Sequence, residues 1–122
     1  MQEPAPQTAL NAEQRTMLQE ILRGALDGMT LLTAESELKA YECDALTVFT
    51  RPPLAVALPE TEAQVQAVLQ ICSKLGIPVT VRGAGTGLTG SGTATPDGLL
   101  LAMARFNRIL RIDPQARTAT VE

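Results

Sequence analysis

A run of β-branched residues, Val79-Thr80-Val81, ends in Arg82 and opens into Gly83-Ala84-Gly85-Thr86-Gly87-Leu88-Thr89-Gly90-Ser91-Gly92, five glycines in ten positions. Glycine turns without steric penalty and lets main-chain N–H groups come close to a ligand. Successive N–H groups turned into one concavity bind an anion, and a neighbouring guanidinium adds a fixed positive charge. These residue types at this spacing support capture of a pyrophosphate, and therefore of a nucleotide cofactor. The bland alternative, a long flexible connection, leaves Arg82 and Thr86 without a purpose and carries the entropic cost of dense glycine.

Gly85 to Gly90 match GxGxxG and follow a strand-like run, as the dinucleotide fingerprint of a doubly wound fold requires. A helix should then begin inside the motif, yet Ser91-Gly92-Thr93-Ala94-Thr95-Pro96-Asp97-Gly98 is a poor helix former. That fingerprint also wants an acidic residue about 20 residues on; this region offers Arg105, Asn107 and Arg108 instead. No Gly-Lys-Ser/Thr follows, so the P-loop pattern fails as well. What is left is a pyrophosphate loop of another kind.

The elements that must hold this loop are legible on either side of it. Asn11 and Gln14 form a capping box, and Met17, Leu18, Ile21, Leu22, Ala25 and Leu26 recur at helical spacing up to a stop at Gly28. A second, shorter helix is expected from Thr33 to Tyr41, followed by irregular chain to Pro52-Pro53. Leu54-Ala55-Val56-Ala57-Leu58 reads as a strand covered on both faces, and Pro59 ends it. Thr61 with Gln64 caps a helix whose apolar stripe runs from Val65 to Leu75 and stops at Gly76, and Pro78 to Arg82 is the next strand. Strand, helix and strand make a βαβ unit with parallel strands and a right-handed crossover. Gly98 to Met103 reads as a further buried strand, and Arg108–Asp113 with Arg117–Glu122 as a hairpin turning at Pro114-Gln115-Ala116. The chain stops on that strand, so these residues are expected to be part of something larger.

Composition narrows the functions available. The chain has 122 residues, 45% apolar but only 2% aromatic, so its core must be Leu, Val, Ile and Ala. Net charge is −3 with no basic run, which argues against nucleic acid as a partner. There is no histidine, and Cys43 and Cys72 lack metal-binding spacing, so no metal site is expected. The longest apolar stretch, Leu99 to Ala104, is too short to span a bilayer, and Met1–Gln7 lacks the apolar core of a signal peptide. A cytoplasmic protein with reduced thiols is the expectation.

The stretch from Leu54 through the Glu60–Gly76 helix to Gly90 resembles the FAD-binding domain of the vanillyl-alcohol oxidase type (PCMH-type flavoproteins). Gly85-Thr86-Gly87-Leu88-Thr89-Gly90 and the upstream Tyr41-Glu42-Cys43-Asp44-Ala45 look most like its D-2-hydroxyacid dehydrogenase and glycolate oxidase flavin-subunit branch. The resemblance implies an α+β fold, a βαβ unit plus a β-hairpin forming the first half of such a domain after N-terminal helices. It divides the chain into a disordered tail over 1–9, a helical segment over 10–52 and a partial FAD-binding domain over 53–122. Arg82, Gly83, Ala84, Gly85, Thr86 and Gly87 would wrap the FAD pyrophosphate, Thr89 and Gly90 would complete the turn, and backbone around Pro53 and Pro59 would lie near the adenosine half. Many covalent members carry a flavin-linking histidine near the position of Thr86, so non-covalent FAD is implied. Ser91 departs from the pattern, standing where relatives often have glycine.

By the same resemblance, the full-length protein would oxidise a small 2-hydroxyacid, glycolate or D-lactate. It would work with a second flavin-domain-like subunit and an iron–sulfur subunit near the inner face of the membrane. Substrate clamps and the catalytic base would lie beyond Glu122, so no catalytic residue is assigned here. Asp44 reads as a turn residue, and Arg105 and Arg108 as a solvated face. A non-catalytic nucleotide- or phosphate-binding module is the alternative from another class.

Overall fold

The computed structural model describes residues 9–122, so all but Ala9 of the expected tail lies outside the described residues. Helix α1 (Ala12–Ala25) starts on a complete capping box: the Gln14 N–H donates to Asn11 Oδ1 at 2.9 Å and the Asn11 N–H to Gln14 Oε1 at 3.0 Å. Strand β1 (Thr30–Leu32) follows, where the sequence showed no element. The second helix is shorter than expected. It is a single turn, α2 (Glu35–Leu38), tightening into a 3₁₀ turn over Lys39–Tyr41. Thr33 does not cap it; its Oγ1 accepts from Arg23 instead.

Strand β2 (Ala55–Leu58) leads to α3 (Glu62–Leu75), then come β3 (Val79–Arg82), β4 (Leu99–Ala102) and the hairpin β5 (Ile109–Asp113) and β6 (Thr118–Val121). Thr61 caps α3 by accepting from the Gln64 N–H, but the Gln64 side chain reaches back to the Glu60 N–H rather than to Thr61. The expected box is therefore displaced by one residue. Gly76 closes the helix at φ +66°, a left-handed conformation that glycine adopts without strain.

The main sheet runs β1-β2-β4-β3. β2, β4 and β3 are parallel and β1 lies antiparallel on the β2 edge. The βαβ unit is thus parallel as expected, but its strands are not neighbours, because β4 sits between them. Alternation along β2 and β4 serves two cores. Ala55, Ala57, Leu99 and Leu101 face α1 and α3 through Leu22, Leu26, Val68 and Cys72. Val56, Leu100 and Ala102 face the other way, onto Leu38 and Ala94. Each buried leucine or valine among these contributes about 1.5–3 kcal/mol, and each alanine less.

Since β3 and β4 are parallel, residues 83–98 must return from the C-terminal edge of the sheet to its N-terminal edge. They contain no helix, and Ala94 buries against the sheet face opposite α1 and α3. The far end is pinned by Arg15 of α1, which donates to the carbonyl of Pro96 at 2.6 Å and pairs with Asp97. The hairpin turns where the Ala116 N–H donates to Asp113 Oδ1 and Arg117 takes φ +54°. Arg108 and Glu122 close its open end through four hydrogen bonds, two of them from the guanidinium, which holds the Glu122 carboxyl below the usual range.

Candidate nucleotide-binding site

Arg82 is the last residue of β3, paired with Ala102 of β4, so its side chain leaves the sheet on the face the loop covers. Its Nη1 donates to the Cys43 carbonyl at 2.6 Å, and its guanidinium lies 5.7 Å from the centre of the Tyr41 ring. The backbone of Gly85 passes directly over the same guanidinium at φ +70°, and a Cβ there would stand 2.5 Å from Arg82 Nε. Glycine is required twice at this position, for its dihedral and for its missing Cβ. Arg82 therefore braces the loop against residues 41–43 as well as placing positive charge beside it.

Asp44 forms the opposite side. It is only 4% exposed. Its Oδ1 accepts from the Leu46 N–H at 2.9 Å, closing the expected turn, while Oδ2 accepts from the Gly92 N–H at 3.4 Å. A cleft of about 270 Å³ opens between these groups, lined by Asp44, Val81, Gly83, Gly87, Ser91 and Gly92 together with Arg82, Ala84, Gly85 and Thr86. Among the described residues, the nine successive N–H groups from Gly83 to Ser91 donate to no protein acceptor. Backbone donors left open in series beside a guanidinium suit a multiply charged anion.

Of the residues singled out from sequence, Arg82, Gly83, Ala84, Gly85, Thr86 and Gly87 thus meet around one cleft. Thr89 points along the loop and pairs with the Ser91 hydroxyl at 3.0 Å. Gly90, at φ +77°, lines a separate hollow with Phe49, Arg51 and Thr93. Pro53 and Pro59 are fully buried at opposite ends of β2, outside the cleft. Ser91 does not take a positive φ, so the departure from glycine there is accommodated. Sequence reasoning left out Ser91, Gly92 and Asp44 as cleft residues. Asp44 meets Gly92 across 48 positions of chain, a contact that no local pattern signals.

Arg105 and Arg108 lie outside the cleft and are engaged, Arg105 with Glu60 and Arg108 with Glu122. A larger hollow, about 610 Å³, lies between the start of α3 and the hairpin. Its charged lining is Glu60, Glu62 and Glu122 with Arg108, and that arginine is already paired with Glu122, which leaves a net negative wall. Cys72, on the buried face of α3, is 1% exposed, and burial pushes its thiol up to about 11. No described helix is long and apolar enough to cross a membrane.

Residues 53–122 match the family model described as an FAD binding domain, and the chain belongs to that family. It is 43% identical over 114 residues to "Glycolate oxidase subunit GlcD" of Escherichia coli strain K12, a match covering 93% of this chain and 23% of that protein. Against "D-2-hydroxyglutarate dehydrogenase" of Xanthomonas citri the identity is 34% over 101 residues, covering 83% of this chain and 21% of the relative. Among solved structures, 4-ethylphenol oxidase from Gulosibacter chungangensis superposes with a TM-score of 0.73 at 25% identity, over 93% of this chain and 23% of that one. p-Cresol methylhydroxylase matches at 0.68 and 22% identity, over 88% and 22%, a likeness of fold alone. The chain spans about a quarter of the length of these relatives.

Proposed function

We propose that the cleft holds the diphosphate of a non-covalently bound FAD in a flavin-dependent oxidoreductase acting on D-2-hydroxyacids, glycolate or D-lactate. The observation that carries this reading is the set of open N–H groups at Gly83–Gly87 and Ser91, residues that line the cleft with the Arg82 guanidinium. The donor set fits the group: backbone amides and one braced cation complement a diphosphate, and glycine at 83, 85 and 87 keeps side chains out of its way. Thr86, near the position where many covalent members carry a flavin-linking histidine, supports the non-covalent attachment. The substrate class rests on the names of the relatives, glycolate oxidase and D-2-hydroxyglutarate dehydrogenase.

When bound, the flavin supplies the acceptor for the hydride leaving the hydroxyacid carbon. This chain's own residues bind and orient. Residues 53–122 act as part of the cofactor domain, and residues 10–52 add the helical cover and the wall at Tyr41–Asp44. No catalytic residue is assigned among them. The GlcD relative is named as a subunit, which supports assembly with further subunits; that one is flavin-domain-like and one iron–sulfur, near the inner face of the membrane, rests on the family resemblance alone. Alone, the 122 residues are expected to retain FAD weakly, since a cofactor held along part of its length does not recover the cost of ordering the loop.

The test is an absorbance spectrum of the longest natural form of the protein, purified without added cofactor. Flavin bands at one equivalent, bleached by glycolate or D-lactate without air, are expected. A colourless protein that reconstitutes with ADP but never with FAD would replace this reading with the non-catalytic nucleotide-binding module.

A further inference from the structure

Asp44 is an anomaly in a site built for an anion. A carboxylate offers about four lone-pair positions and accepts only. Asp44 is buried and pairs with no cation among the described residues, yet it makes just one short hydrogen bond, from the Leu46 N–H, and one long one, from the Gly92 N–H at 3.4 Å. A buried charge kept without a cation needs hydrogen bonds to offset its lost hydration. Asp44 lines the cleft together with Gly83–Gly87 and Gly92, and its two oxygens can accept further hydrogen bonds there. A bare diphosphate placed there would bring like charges together without offering an alcohol hydroxyl as donor. A hydroxyl on the carbon chain esterified to the diphosphate would supply the missing donor and turn the repulsion into a charge-assisted hydrogen bond.

We propose that Asp44 accepts a hydrogen bond from a ligand hydroxyl adjoining the diphosphate, and so makes the cleft selective for an esterified diphosphate over the free anion. The inference rests on the nucleotide reading above and adds a residue that selects among phosphate ligands. FAD carries such hydroxyls on both sides of its diphosphate, on the ribityl chain and on the adenosine ribose.

The experiment measures affinities of FAD, ADP, FMN and inorganic pyrophosphate for the longest natural form of the protein, wild type and Asp44→Asn. Asparagine keeps an oxygen for the Leu46 N–H and removes the charge. The expected result is an FAD affinity lower by about tenfold or more, the scale of one lost charge-assisted bond, with pyrophosphate affinity unchanged or raised. Loss confined to ADP assigns the hydroxyl to the ribose, and loss confined to FMN assigns it to the ribityl chain. Asp44→Ser, which retains a turn-forming oxygen, serves if Asp44→Asn does not fold. A parallel fall for FAD and pyrophosphate, or no change for either, would overturn the inference by showing that Asp44 only shapes the loop. A wild-type protein that takes ADP but no flavin refutes the flavin reading alone, and the Asp44 comparison is then read from ADP against pyrophosphate. Binding of none of the four refutes both.

Discussion

Gly85→Ala probes how the loop and Arg82 hold each other. At φ +70° an alanine costs about 1–2 kcal/mol for its dihedral alone. Its methyl group would also occupy the place of the Arg82 guanidinium, 2.5 Å from Nε, so that side chain must move. Moving it strains or breaks the bond to the Cys43 carbonyl, worth about 1.5–3 kcal/mol, and the contact with Tyr41, about 0.5–1 kcal/mol. Partial loss of these brings the total to about 2–4 kcal/mol, or roughly 30- to 1000-fold in FAD affinity. Quenching of flavin fluorescence on titration measures it. The informative arm is a double-mutant cycle: with Arg82→Ala already in place, Gly85→Ala should cost only the dihedral part. An affinity within twofold of wild type, or an equal cost in both backgrounds, would refute the bracing of the loop by Arg82.

Three other outcomes follow from the packing. Leu22→Ala, which empties a fully buried position between α1 and the sheet, should lower unfolding stability by about 2–5 kcal/mol in urea, while Met17→Ala on the exposed side should stay within about 0.5 kcal/mol. Asn11→Ala removes an oxygen of the capping box and should cost about 1 kcal/mol in the same melt. Burial raises the Cys72 thiol from 9.0 to about 11, so at pH 8 its thiolate should be about 100-fold scarcer than that of an unperturbed thiol. Iodoacetamide labelling followed by mass spectrometry should therefore modify Cys72 only on unfolding. Stability from the neutral thiol is present below about pH 9 and is lost as pH rises toward 11.

What could be read from the residues was local. The glycine loop declares itself by composition, α1 and α3 by caps and apolar spacing, and β2 and β4 by short runs buried on both faces. Tertiary choices were not legible. Three residues, Thr30–Leu32, are too few to show a period, and they become a strand only because the β2 edge offers Leu58, Ala57 and Val56 as partners. The insertion of β4 between β2 and β3 is decided by how residues 83–98 cross the sheet, which spacing does not encode. Asp44 looked like a turn residue and is one, but its second oxygen reaches Gly92, and only the folded chain brings those two together. Pro53 and Pro59, both of which the resemblance sets near the adenosine half, stand at opposite ends of β2.

Amide hydrogen exchange across residues 83–91, with and without saturating FAD, interrogates the loop itself. Slowing that begins at Gly83 and runs through Ser91, with the amides of α3 unaffected, is the result this account requires. Flavin bound at full occupancy while those nine amides exchange as fast as before would place the cofactor elsewhere and remove the basis of the assignment.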